Sequence, residues 1–209
     1  MAIKVGILGF AHGHVNMYCR EWRAHPEHGV SVLYGWDHDG QRLEKAVADF
    51  KIMAAESPEA LLSQKDISAV VIASETSLHA ELVEKAAAAG KIIVLQKPIS
   101  LKMAEADRIV AAVEKAGVPF TMAWQMRADP QNLKMRGMVR EKALGRVFMV
   151  RRRHGLGMCL DDSFASSWHV SPKWNRDIWA DDSSHPTDFI YWLLGLPESV
   201  TAEIESLHN

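Results

Sequence analysis

The stretch IWADDSSHPTDFIYWLLG, residues 178–195, sets Asp181, Asp182, Ser183, Ser184 and His185 directly ahead of an apolar helix. One capping oxygen satisfies a helix start, so most of that polarity is free for other work. The macrodipole keeps an imidazole at a helix N-terminus neutral and able to take a proton near neutral pH. Pro186 suits a first helical turn, which puts His185 there. Asp181, four residues earlier, is spaced to orient the ring through its second nitrogen. Asp188, three residues on, is spaced to buttress the same face, and one of Asp182, Ser183 or Ser184 is expected to cap. Lys97 is the second candidate. It ends the apolar run IIVLQ and precedes Pro98, which biases its backbone towards an extended conformation. An ammonium at the carboxyl end of a buried parallel strand can polarise a substrate oxygen, because such sheets bind ligands there. Alone, each pattern is more often a chance histidine beside a cap or a solvated charge. Their weight comes from occurring together.

A nucleotide end is legible in GILGFAHGHV, which follows a strand and opens a helix. Reading G-x-G-x-x-G from Gly9 gives Gly9, Ala11 and His14, so only the first position matches. The physics does not need the other glycines, since free N–H groups at a helix start attract phosphate whatever the side chains. Phe10, His12 and Gly13 complete the turn. Asp37 ends the second strand, where a carboxylate would accept hydrogen bonds from an adenosine ribose and repel a 2′-phosphate. NAD is therefore expected rather than NADP. His12 and His14 form an H-x-H pair, but no carboxylate or thiol stands at a matching spacing, so no metal is expected.

The stretch AVVIASETSLHAELVEKAAAAGKIIVLQKPIS, residues 69–100, resembles the Gfo/Idh/MocA family, named for glucose–fructose oxidoreductase, inositol dehydrogenase and a rhizopine-catabolism protein. The family loop after the strand corresponds to Ser74-Glu75-Thr76, its histidine to His79, and its E-K-P motif to Gln96-Lys97-Pro98. GVPFTMAWQMRADP is similar to the family strand and loop that follow, with Gln125 and Arg127 at polar positions. DDSSHPTD is similar to D-x-G-x-H-x-x-D through Asp181, Ser183, His185 and Asp188. The resemblance implies an NAD-dependent dehydrogenase acting on a sugar, cyclitol or related polyol, with Lys97 and His185 as acid/base pair and Asp181 beside them. It adds Ser74, Glu75, His79, Gln96, Lys97 and Gln125 to the cofactor contacts. Lys97, Gln125, Trp168, His169, Asp181 and His185 are its substrate contacts. A ligand-sensing protein that binds dinucleotide without turnover is the competing expectation, and a redox-neutral lyase or isomerase using NAD transiently is a third. Gln96 departs from the usual glutamate, and Asn175-Arg176-Asp177 stands where a glycine run is common.

The elements must bring these residues together. Residues 1–123 alternate continuous apolar strands with amphipathic helices, which implies a doubly wound parallel sheet covered on both faces, a Rossmann-type α/β domain. Residues 124–209 read as a helix from Pro130, a strand RVFMVRRRHG, an irregular tryptophan-rich stretch, the helix after His185 and a strand SVTAEIES. That is an incomplete α+β domain with an open sheet. The resemblance implies well over a hundred further residues completing the sheet, so the chain is expected to be a truncation or to pair through this edge as a homo-oligomer.

Composition sets the class. The 209 residues are 48% apolar and 24% charged with a net charge of −2, which gives no electrostatic reason to expect nucleic acid or an anionic membrane. No apolar run is long enough to span a bilayer, and MAIKVGILGF reads as a strand rather than a signal peptide. Cys19 and Cys159 form no spaced framework, so reduced thiols in a cytoplasm are expected.

Overall fold

The computed structural model describes residues 2–157 and 160–205; Cys159 lies outside them. A six-stranded parallel sheet has the order β3-β2-β1-β4-β5-β6, with β1 Ile3–Leu8, β2 Val30–Trp36, β3 Met53–Ala54, β4 Ala69–Ile72, β5 Ile92–Leu95 and β6 Phe120–Met122. Side chains alternate faces along each strand, and the burial follows. Val70 and Ile72 of β4 enter one core with Ile93 and Leu95 of β5. Ala69 and Val71 enter the other with Val5 and Ile7 of β1. Helices α3 (Pro58–Leu62), α4 (His79–Ala88) and α5 (Met103–Ala116) cover the first face. Helices α1 (His14–Ala24) and α2 (Gly40–Phe50) cover the second.

Strand order reverses between β1 and β4, the point at which a doubly wound sheet opens a crevice beyond its carboxyl ends. Gly9 sits there with φ +92, and a β-carbon on it would lie 2.4 Å from the Ser74 backbone. Only glycine meets both demands. Cys19 is free and buried, and burial pushes its thiol up to about 12.

The chain continues through α6 (Pro130–Arg140), a run of short 3-10 turns, α7 (Ile178–Asp182) and α8 (Ser184–Leu194). The structure departs from the sequence reading in this half. Neither RVFMVRRRHG nor the described part of SVTAEIES forms a strand; both lack ladder partners among the described residues. A lone strand leaves its N–H and C=O groups unpaired, and few strands without a packed face are not stable. Among the described residues no helix is long and apolar enough to cross a membrane.

Candidate active site

The turn after β1 is built for an anion. Helix α1 starts at Gly13 with no side-chain cap. Val15 N and Asn16 N donate to His12 O and Gly13 O, so among the described residues the N–H groups of Gly13 and His14 are the ones left for an anion. His12 is buried, and neither ring nitrogen has a hydrogen-bond partner among the described residues. Burial, then the Lys97 charge, lowers its pKa to about 2, so the ring is neutral. An orphaned buried imidazole, an uncapped helix and a glycine with no room for a β-carbon fit a bound dinucleotide phosphate.

Asp37 ends β2 as expected, but its carboxylate is already saturated. It accepts from Phe10 N (2.7 Å), Asp39 N (2.8 Å) and Arg42 Nε and Nη2 (3.1 and 2.8 Å). Arg42 also bridges to Glu75 (2.7 Å), which holds His38 at 2.9 Å. The end of β2 is therefore a cluster, and the sequence reading had only Asp37 and Glu75 of it. Asp39 accepts from Gln41 N and Arg42 N, and this capping of α2 fixes where Arg42 starts.

At the other end, a cavity of about 370 Å³ is lined by His12, His14, Lys97, Gln125, Asp181 and His185, with His154, His169 and Asp182. Lys97 comes from the end of β5 and Asp181 from α7. They meet at 2.6 Å between Nζ and Oδ1, 4% and 2% exposed. Burial alone would push the Asp181 carboxyl up; the hydrogen bond from His169 and the Lys97 ammonium outweigh it and hold the group well below the usual carboxylate range. His185, in the first turn of α8, is 5% exposed with Nδ1 unpartnered among the described residues. Burial, then Lys97, lowers its pKa to about 4. The ring is neutral as expected, though the desolvated cavity and the ammonium dominate rather than the helix end.

Four placements correct the sequence reading. Asp181 does not hold His185; its two oxygens hold Lys97 and His169. None of Asp182, Ser183 or Ser184 caps α8 by side chain: Ser183 is itself helical, so α7 runs into α8 without a cap geometry, and Asp177 caps α7 instead. Asp188 turns away to a bidentate pair with Arg127 (2.5 and 2.9 Å). Trp168 does not line the cavity; its indole N–H donates to Ala11 O (3.1 Å) and its ring stacks on His169.

Some expected cofactor contacts are structural. His79 is fully buried, with Nδ1 3.0 Å from Pro98 O and Nε2 3.3 Å from Ser74 O, and ties the loops after β4 and β5 together. Gln96 is buried and donates to Tyr18 (2.9 Å). Ser74 packs against Gly9 and donates to Glu75 O. Gln125 does reach the cavity. His154, 2.9 Å from Asp182, was missed as a site residue; inside RRRH it carries no periodic signal that would single it out.

A doubly wound sheet with a glycine turn at its switch point, and a cavity of titratable side chains beside it, is the architecture of a dinucleotide-binding domain. Residues 3–124 match the oxidoreductase family, NAD-binding Rossmann fold, and residues 132–209 match the GFO/IDH/MocA C-terminal domain. The chain belongs to the Gfo/Idh/MocA family. It is 35% identical over 124 residues to D-apiose dehydrogenase of Paraburkholderia graminis, covering 59% of this chain and 33% of that one. Among solved structures, myo-inositol 2-dehydrogenase of Lactobacillus plantarum superposes with a TM-score of 0.80 at 19% identity. The alignment covers 93% of this chain and 57% of that one. The WlbA dehydrogenase of Bordetella pertussis, in complex with NADH and UDP-GlcNAcA, gives 0.77 at 22% identity, covering 93% and 56%. The chain thus spans about half the length of these structures.

Proposed function

We propose that the protein is an NAD-dependent oxidoreductase acting on a sugar, cyclitol or related polyol, with Lys97 and His185 as its acid/base pair. The observation that carries this reading is their shared cavity, lined on its other side by the His12–His14 turn. NAD, when bound, supplies the hydride acceptor, held by the Gly9–His14 turn, with the Asp37 cluster setting the charge at the end of β2 rather than Asp37 itself accepting from the cofactor. Asp37 and Glu75 outnumber Arg42 in that cluster, so a 2′-phosphate is disfavoured. On oxidation, neutral His185 receives the hydroxyl proton while the Lys97 ammonium stabilises negative charge developing on the same oxygen. Asp181 holds the ammonium by Oδ1 and so points it. The unpartnered ring nitrogens of His14 and His185 suit the many hydroxyls of a polyol, each of which both donates and accepts.

The test is NADH formation, followed by its near-ultraviolet absorbance, with NAD and a panel that includes myo-inositol and D-apiose. Lys97→Ala and His185→Ala are each expected to lower turnover roughly a hundredfold or more, with NAD affinity nearly unchanged. Turnover equal to wild type in either variant removes that residue from the mechanism. NAD binding without turnover of any polyol supports the sensor reading instead.

A further inference from the structure

We propose that His169 is a positioning residue, which locks Asp181 so that Lys97 offers its free N–H to the substrate oxygen; this rests on the catalytic reading of Lys97. A Lys97 ammonium has three N–H groups. One goes to Asp181 Oδ1 at 2.6 Å and a second lies 3.5 Å from the Asp181 backbone oxygen. The third is left for the cavity. Where it points depends on the torsion of the Asp181 carboxylate, and a carboxylate held at one oxygen can rotate about its Cβ–Cγ bond. His169 removes that freedom by engaging Oδ2 through Nδ1. The result is a continuous chain from imidazole to carboxylate to ammonium, with Lys97 and Asp181 buried and His169 at the more open end.

The irregular segment before α7 exists in a form that holds this imidazole still. His169 stacks on Trp168 at 4.0 Å between centroids and on Phe164 at 5.5 Å. Trp168 is anchored to the phosphate turn through Ala11 O. The His169 backbone oxygen accepts from Asn175 Nδ2 at 3.1 Å, and buried Asn175 in turn accepts from Thr76 in the loop after β4. The ring is thus held by two stacking partners and by its own backbone. His169 still lines the cavity, with its Nδ1 spent on Asp181.

The experiment reads Lys97 directly and needs no substrate. Competitive acetylation with acetic anhydride, resolved by peptide mass spectrometry, reports how free each lysine amine is. Asp181→Asn is expected to raise labelling of Lys97 about tenfold, the size expected when an ammonium loses an adjacent opposite charge. His169→Ala is expected to raise it several-fold. His169→Gln, which keeps a donor, is expected to stay near wild type. In the double variant His169→Ala/Asp181→Asn the labelling should equal that of Asp181→Asn alone, because His169 acts only through Asp181. Lys91, buried on Gln64 O and Ile67 O, is the control: a general loosening of the fold would raise its labelling too. Unchanged Lys97 labelling in His169→Ala, additive effects in the double variant, or a parallel rise at Lys91 each overturns the proposal. Absence of NADH formation by the wild type would defeat the oxidoreductase reading and leave this outcome readable.

Discussion

At the scale of single residues, buried histidines set how the protein answers to acid. His79 and His185 hold pKa values of about 4 and His12 about 2, all with burial as the first cause. Unfolded, each would titrate near 6.5. Above that pH both states are neutral and these groups add nothing to the pH dependence. Between about 6.5 and 4 the unfolded chain binds protons that the folded chain refuses, so stability falls as pH is lowered through this window. Fully buried His79 alone accounts for about 3 kcal/mol of that loss. Asp181 acts in a lower window: its folded carboxyl is depressed, so its contribution persists above the ordinary carboxylate pKa and is lost below it. Thermal denaturation across pH should show the midpoint already declining at pH 6, before carboxylates titrate. A midpoint flat down to pH 4 would mean that these imidazoles are protonated in the folded state. The same neutrality leaves His185 able to receive a proton at physiological pH.

At the scale of elements, the crevice depends on close approach between β1 and the loop after β4. Gly9→Ala combines a positive φ with contacts of 2.4–2.6 Å to Ser74. The φ costs about 1–2 kcal/mol and the overpacking roughly 1–3 kcal/mol more. Gly29 has φ +67 with nothing within 4 Å of a β-carbon, so Gly29→Ala carries the first cost without the second. Urea unfolding should rank Gly9→Ala well below Gly29→Ala; equal losses would show that the approach to Ser74 is not tight. These elements also mark where sequence was readable. The alternation of strands and helices over residues 1–123 was legible because continuous apolar strands and amphipathic helices leave distinct periods. His185 and Lys97 were legible as a pair for a similar reason, each standing at an element end. RVFMVRRRHG failed because a strand is a property of its partners, and a pattern along one segment cannot supply them. The Asp181 pairing was hidden for a related reason: spacing along a helix suggests His185, while the partners it has are Lys97, across the molecule, and His169, in an aperiodic loop.

At the scale of the whole molecule, the second half carries apolar surface that the first half does not cover. Phe148, Leu196 and Val200 are 90%, 85% and 80% exposed. Leu196 and Val200 edge a mostly apolar groove of about 670 Å³ with Trp179, Ile190 and Tyr191. A contiguous apolar groove of this kind is unusual for a monomer and is the usual mark of an association surface. A stable dimer needs about 1,200–2,000 Å² of buried surface, and this groove supplies an apolar centre for such a contact. The expected outcome is concentration-dependent association by light scattering after size exclusion. Leu196→Asp with Val200→Asp should shift it towards monomer, while Lys97→Ala, buried in the cavity, should leave it unchanged. A wild type that stays monomeric across the accessible concentration range, with an unaltered profile in the double aspartate variant, would show that this face is simply solvated. Association that survives the aspartates would move the contact to another surface, with the extended segment around Phe148 as the next to substitute.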